Sequence, residues 1–325
     1  MKLKVYCGTD WKNEQMELFR SLVHEDVTLC FREECDDFDI LILGRPDEKL
    51  LQRSSKLKYL IIPWAGLPSS TADLMGIHPE ISVHNIHHNA SSAGELALGL
   101  MIAAARLMVP ADRALRKGDW SWRYRQEVCL LISGSRVLIL GYGHLGRTVG
   151  RACHTLGAEV FGIRRSLKEP ARTDQATIFP PSHLHSLLKD SDFVVLALPL
   201  TEDTECIIGD EELELMHGRS VLVNVGRGRL VDQEALYSHL KRGSIGAAGI
   251  DVWYSYPSSK EERSCTFPSE EPLWELDNVV MTPHMGGAFG SEELENRRVR
   301  HLAKSINRAA KGEELPFRVH LEKGY

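Results

Sequence analysis

Paired cysteines are missing. The 325-residue chain has seven cysteines and no C-x-x-C pair, which argues against a disulfide framework or a thiolate zinc site and predicts reduced thiols in a cytoplasmic protein. Long apolar runs are also missing. The best candidate, Leu96–Ala105, is far short of the roughly 20 residues a membrane span needs, so no membrane is expected as a partner. The opening MKLKVYCGTDW has no extended apolar segment, so no secretory leader is expected. Positive charge is not in excess: 39 Lys+Arg against 45 Asp+Glu leave a net charge of −6, which argues against nucleic acid as a partner. No self-similar period stands out. The remaining composition, 43% hydrophobic and 26% charged, is that of a soluble globular protein with length for two domains.

The most informative stretch is Val137–Arg165, VLILGYGHLGRTVGRACHTLGAEVFGIRR. Val137–Leu140 is an apolar run fit for a buried parallel strand. Gly141, Gly143 and Gly146 then form G-x-G-x-x-G. Leu145, Val149, Ala152 and Leu156 follow on one predicted helix face, Gly157 stands where a glycine would end that helix, and Glu159–Ile163 is the next strand. Glycines between a strand and a helix suit a dinucleotide: the first permits the tight turn, the second admits the pyrophosphate, the third lets helix and sheet pack closely. The helix N-terminus offers free N–H groups to the phosphates. The acid that would hold a ribose 2′-hydroxyl after the second strand is absent. Arg164 and Arg165 stand there, and guanidinium groups suit a 2′-phosphate, which favours NADP over NAD.

Residues 1–90 alternate predicted strands (Lys2–Tyr6, Ile40–Gly44, Leu60–Pro63, Ser82–Asn85) with helical pieces (Asn13–Val23, Asp47–Leu51), the order of a small parallel sheet. Trp64, Ala65 and Gly66 follow one strand end, a place where backbone N–H groups can meet a carboxylate. Ser92 and Glu95 form a predicted capping box for an apolar helix running to Leu107, with Pro110 stopping or kinking it. His84, His87 and His88 lack a paired carboxylate, so no metal is expected. Gly118–Arg123 is either tryptophan core packing or an interface arm.

Beyond the glycine stretch come predicted strands Phe193–Leu198, Ser220–Val225, Ile245–Ile250 and Asn278–Thr282. Arg227, Asp251 and His284 each fall just past a strand's carboxyl end, the edge shared with Gly141–Gly146 in a doubly wound sheet. A histidine can supply the proton that accompanies hydride transfer to a carbonyl, and an arginine can polarise that carbonyl and grip a neighbouring carboxylate. Asp251 is placed to accept from a nicotinamide amide. Ser291–Lys311 is a predicted helix with Leu294, Leu302 and Ile306 on one side, expected to pack on the first domain.

With GYGHLG (141–146), LALPLTEDT (196–204), NVGRGRLVD (224–232), GIDVW (249–253) and PLWELDNVVMTPHMGG (272–287) in hand, the chain resembles the D-isomer-specific 2-hydroxyacid dehydrogenase family over nearly its whole length, in its glyoxylate/hydroxypyruvate reductase-like form. The resemblance implies an α/β fold of two Rossmann-like, doubly wound parallel-sheet domains with a cleft between them: residues 1–90 with 290–325 for the substrate, and 91–289 for the dinucleotide. It implies reduction of a small 2-oxo acid to a D-2-hydroxy acid by a reduced nicotinamide cofactor, NADPH to judge by the paired arginines with NADH as the alternative, and a homodimer in which the Gly118–Trp120 loop reaches the partner subunit. Arg227 would bind substrate and His284 act as acid and base. Trp64, Ala65, Gly66 and Asn89 would line the substrate site. The cofactor residues would be Gly141, Gly143, His144, Leu145, Gly146, Arg164, Arg165, Pro199, Thr204, Val225, Asp251 and Gly287.

One position departs from the family pattern. The family's usual acid, five residues after the Asp251 equivalent, is replaced by Tyr256. Without that carboxylate His284 is expected to be less basic than in typical members, unless Glu270 or Glu271 folds back to replace it. The departure also resembles the formate dehydrogenase branch, which places a substrate asparagine where Asn89 lies. A third reading is a dinucleotide-binding, corepressor-like protein with little catalysis.

Overall fold

The computed structural model describes residues 2–31, 35–125, 130–287 and 290–321. The chain forms two compact units, Met1–Asn89 with Ala288–Tyr325, and Ala90–Gly287.

In the first unit, β1 (Leu3–Cys7), α1 (Asn13–Leu22), β2 (Val27–Phe31), β3 (Ile40–Ile42), α2 (Glu48–Leu51), β4 (Tyr59–Ile61), α3 (Ser69–Gly76) and β5 (Ser82–His84) build a parallel five-stranded sheet in the order β2-β1-β3-β4-β5. The order reverses between β1 and β3, a topological switch point. One face packs Trp11, Phe19 and Phe31 with Leu302 and Ile306 from the C-terminal helix, and the other packs Phe38, Leu41, Leu60 and Met75. Asp47 caps α2 by accepting from the Leu50 N–H at 2.8 Å. The sequence expectation passes over two of these elements. β2 is a half-exposed edge strand, and α3 (SSTADLMG) is a weak helix former held by the buried Thr71 and Met75.

The second unit contains α4 (Ala90–Ala105), α5 (Met108–Leu115), β6 (Arg136–Leu140), α6 (His144–Thr155), β7 (Glu159–Ile163), β8 (Ala171–Arg172), β9 (Thr177–Phe179), α7 (Leu184–Leu188), β10 (Phe193–Leu196), α8 (Asp210–Leu215), β11 (Val221–Asn224), α9 (Gln233–Arg242), β12 (Ala247–Ile250) and β13 (Val279–Met281). Its sheet runs β13-β12-β11-β10-β6-β7-β9-β8, parallel except for the β8–β9 pair. The strands FVVL, VLVN and AAGI are buried along their whole length, as expected of a parallel sheet covered on both faces. α4 and α6 contribute to one core, α8 and α9 to the other. The order reverses between β10 and β6, which places the glycine turn after β6 at the switch point. The last helix, α10 (Glu292–Ala310), belongs to the first unit and buries Leu294, Leu302 and Ile306.

Three local expectations need correction. Ser92 lies inside α4 rather than at its cap. The long helix breaks at Leu107, which adopts φ 48°, and Pro110 sits in the first turn of α5, where its missing N–H costs no helical bond. On α6 the buried residues are Gly146, Val149, Gly150 and Cys153, while Leu156 is an exposed cap. Gly157, at φ 91°, and Ala158 close that helix by donating to His154 and Cys153 carbonyls at 2.9 and 3.0 Å, a Schellman arrangement. The six described cysteines are free thiols. Among the described residues no single helix is long and apolar enough to cross a membrane; α4 and α5 meet that test only as a pair bent by 66°.

Candidate functional site

The turn after β6 is built for close backbone approach. Gly141 has φ 94°, and a Cβ there would lie 2.6 Å from the Ala197 carbonyl oxygen. A Cβ on Gly146 would sit 2.2 Å from the Gly141 carbonyl oxygen, so the third glycine seats α6 on the turn. Gly143 differs: a Cβ there would meet nothing within 4 Å. Its open face precedes the first turn of α6, in which the first helical bond runs from the Arg147 N–H to the Gly143 carbonyl at 3.0 Å. An open cradle at a helix N-terminus fits a pyrophosphate. At the end of β7, Arg164 and Arg165 are exposed, and Arg165 lies 3.7 Å from the Asp203 carboxylate.

Arg227, Asp251 and His284 follow β11, β12 and β13 on the same carboxyl edge. Asn224 shapes the Arg227 turn. Its Nδ2 donates to the Arg227 carbonyl at 2.8 Å, and its Oδ1 accepts from the Gly226 N–H at 3.1 Å. Gly228 lets this turn lie on the next segment, since a Cβ there would be 2.3 Å from the Trp253 carbonyl oxygen. Asp251, only 2% exposed, accepts from the Thr282 hydroxyl and the Met285 N–H, both at 2.6 Å, and from the Gly286 N–H at 2.9 Å. It thereby holds the segment on which His284 takes the left-handed conformation, φ 57°, a strain of about 1–2 kcal/mol. Trp253 adds a second tie, its indole N–H donating to the Thr282 carbonyl at 2.8 Å.

His284 Nδ1 lies 3.0 Å from the Tyr256 hydroxyl, which also accepts from the Trp253 N–H at 3.0 Å. Burial pushes the His284 pKa down and Arg227 adds to that, while Asp251 opposes it. Crowding by protein lowers the Arg227 pKa, although its side chain remains reachable by solvent, and Tyr256 partly offsets the shift. Burial raises the Tyr256 pKa, opposed by the Trp253 N–H and by Arg227. Arg227, Tyr256 and His284 are therefore close enough to act on one another. An imidazole and a guanidinium so placed can deliver a proton and bind an anion.

The other expected residues fall as follows. In the first unit the Trp64 indole lies over Gly44, whose missing Cβ makes room for it, and Ala65 accepts from the Asn85 side chain at 2.7 Å. The N–H groups of Ala65 and Gly66 donate to no group among the described residues. Asn89 is half-buried at the end of that unit. In the second unit the Thr204 hydroxyl donates to the Pro199 carbonyl at 2.8 Å and shapes the loop after β10. Val225 is buried, and Gly287 follows the Asp251-bound Gly286. Glu270 bonds Gln233, whereas His284 bonds Tyr256. Trp120 is 61% exposed, which rules it out of the core. Of the three histidines, His84 bonds Ser82 and the Pro316 carbonyl, His87 packs its ring on Phe317, and His88 is buried with its pKa pushed down to about 4.

Residues 98–286 match the family model described as D-isomer specific 2-hydroxyacid dehydrogenase, NAD binding domain. A glyoxylate reductase of Pyrococcus horikoshii is 31% identical over 300 residues, covering 89% of this chain and 84% of that protein. The chain belongs to the D-isomer specific 2-hydroxyacid dehydrogenase family. It is an NAD(P)-dependent oxidoreductase acting on CH–OH donors. Two solved structures share the fold over the whole of both chains, each with a TM-score of 0.80. One is a D-isomer specific 2-hydroxyacid dehydrogenase from Xanthobacter autotrophicus in complex with NADPH and MES, 23% identical. The other is an NADPH-dependent glyoxylate/hydroxypyruvate reductase from Sinorhizobium meliloti in complex with NADP and sulfate, 21% identical.

For a dehydrogenase of this family, the residues that sequence reasoning missed are supporting ones. Asn224, Trp253 and Thr282 hold the arginine and histidine segments in place. Tyr142, an unspecified position of the glycine motif, is a buried wedge whose ring fills the space left by Gly150 and Gly162. Only Asn224 left a signal, as a polar residue ending an otherwise apolar strand.

Proposed function

We propose that the chain reduces a small 2-oxo acid, of glyoxylate or hydroxypyruvate size, to a D-2-hydroxy acid, with NADPH preferred over NADH. The observation that carries this reading is His284 and Arg227 following β13 and β11, the strands either side of β12, on the edge that also bears the open glycine turn, with the Arg227 charge lowering the His284 pKa. The names of the relatives support the substrate class, and the NADP-bound neighbours together with Arg164 and Arg165 support the cofactor.

The N–H groups of His144, Leu145 and Gly146, beside Gly141 and Gly143, would hold the pyrophosphate, and Arg164 and Arg165 the 2′-phosphate. Pro199, Thr204, Val225, Asp251 and Gly287 would line the remainder of the dinucleotide site. Asp251 Oδ2 receives one hydrogen bond from the protein, which leaves it acceptor capacity for a carboxamide. A nicotinamide held there would supply hydride. His284 gives the proton to the carbonyl oxygen. Arg227 grips the carboxylate and polarises the carbonyl. Ala65 and Gly66 offer free N–H groups to an anionic substrate, with Trp64 and Asn89 beside them in sequence or at the unit's end. A homodimer is part of this reading, with the exposed Trp120 and Tyr124 covered by the partner.

The test is oxidation of NADPH and NADH by the purified protein with glyoxylate and with hydroxypyruvate. Turnover preferring NADPH is expected. Turnover with NADH alone would discard the arginine pair and keep the reductase. Oxidation of formate, or tight dinucleotide binding without turnover, would overturn the proposal.

A further inference from the structure

We propose that Tyr256 is a positioning residue that fixes which nitrogen of His284 carries the proton: its hydroxyl donates to Nδ1 and holds the neutral imidazole as the Nε2–H tautomer. This rests on the reading of His284 as the proton donor. One hydrogen-bond donor at this site cannot turn round. The Trp253 backbone N–H points at the Tyr256 oxygen at 3.0 Å and occupies one of its lone pairs. A phenol has a single proton to give. The other close partner of that oxygen is His284 Nδ1, also at 3.0 Å, and it receives the proton. A nitrogen that accepts is bare, so the neutral ring carries its hydrogen on Nε2.

The charged groups acting on the ring do not reverse this. Asp251 is engaged with Thr282, Met285 and Gly286, and the Arg227 guanidinium disfavours a second proton on the ring. A carboxylate at position 256 would act the opposite way. It can only accept, so it would draw hydrogen to Nδ1, leave Nε2 bare in the neutral ring and favour the imidazolium. With tyrosine, the neutral ring still presents an N–H at Nε2. When the ring gains its second proton, the phenol must turn its own hydrogen away and accept from Nδ1–H.

The test is the ¹⁵N spectrum of the full-length protein labelled at histidine. The His284 signals are identified by their loss in His284→Gln. Above neutral pH the wild type is expected to show a bare Nδ1 and a protonated Nε2. Tyr256→Phe should relax this preference toward a mixture of tautomers. Tyr256→Glu should place hydrogen on Nδ1 and move the alkaline limb of the reduction rate upward by roughly 1–3 pH units. A protonated Nδ1 in the wild type, or a tautomer unmoved in Tyr256→Phe, overturns the proposal, and the wild-type spectrum decides even where a variant does not fold. If the spectra agree and the limb does not move, the assignment of His284 as proton donor fails and the tautomer stands.

Discussion

Alanine at two glycines of one motif should produce opposite failures. In Gly146→Ala the new methyl would lie 2.2 Å from the Gly141 carbonyl oxygen and 3.1 Å from Ile139 Cγ2. No flexible side chain can yield at the shorter contact, so α6 must lift from the turn. We expect a loss of about 3 kcal/mol, the upper part of the range for overpacking. At roughly 2–4 °C per kcal/mol for a unit of this size, the melting point falls by roughly 6–12 °C. In Gly143→Ala the methyl enters open space, although φ −89° with ψ −147° lies outside the backbone regions that alanine favours. Stability should fall by about 1 kcal/mol, the lower end for a strained backbone residue and less than in Gly146→Ala. The same methyl would occupy the face assigned to the pyrophosphate. Displacing that group should cost roughly 1.5–3 kcal/mol of binding, a rise in NADPH Kd of roughly 10- to 150-fold. Calorimetric melting and fluorescence titration with NADPH measure the two effects separately. A Gly143→Ala protein that binds NADPH like the wild type would refute the placement of the pyrophosphate.

Replacing Arg164 and Arg165 together by serine should raise the NADPH KM at least about tenfold, the loss of a charge-assisted contact, while leaving the NADH KM within about twofold; steady-state kinetics with both cofactors checks the ratio. Asp251→Asn turns one acceptor oxygen into an NH2 group that faces N–H or O–H donors. It should cost about 1–3 kcal/mol in urea unfolding and lower kcat by releasing the segment that carries His284; an unchanged midpoint would contradict the role given to that carboxylate. The reduction rate should depend on pH with a definite sign. Protonated His284 is the active form, and burial with Arg227 nearby depresses its pKa. Activity is therefore full at low pH and lost as pH rises, with the limb below the ordinary imidazole range. A limb above neutrality would speak against that environment.

The strand, glycine turn and helix of residues 136–163 were legible in the sequence because each signal there is local. An apolar run becomes β6, three glycines mark the turn, and Gly157 ends α6. Strand ends were legible for the same reason, so Arg227, Asp251 and His284 could be placed on one edge from their order alone. The break between α4 and α5 was not legible: Pro110 drew attention, but the chain turns at Leu107, a left-handed residue of a type that seldom adopts that conformation. The half-exposed β2 and the polar-fronted α3 were hidden because neighbouring elements stabilise them. Sequence placed Tyr256 where the family keeps an acid, yet not in contact with anything. Its bond to His284, 28 residues away, exists because β12 and β13 pair in parallel with Ile250 opposite Met281, which sets Asp251 against Thr282 and brings the two following segments together. Which strands lie side by side, and in what register, depends on how whole faces pack. The sequence by itself determined the parts and the edge they share, and only the tertiary structure decided which side chains on that edge bond one another.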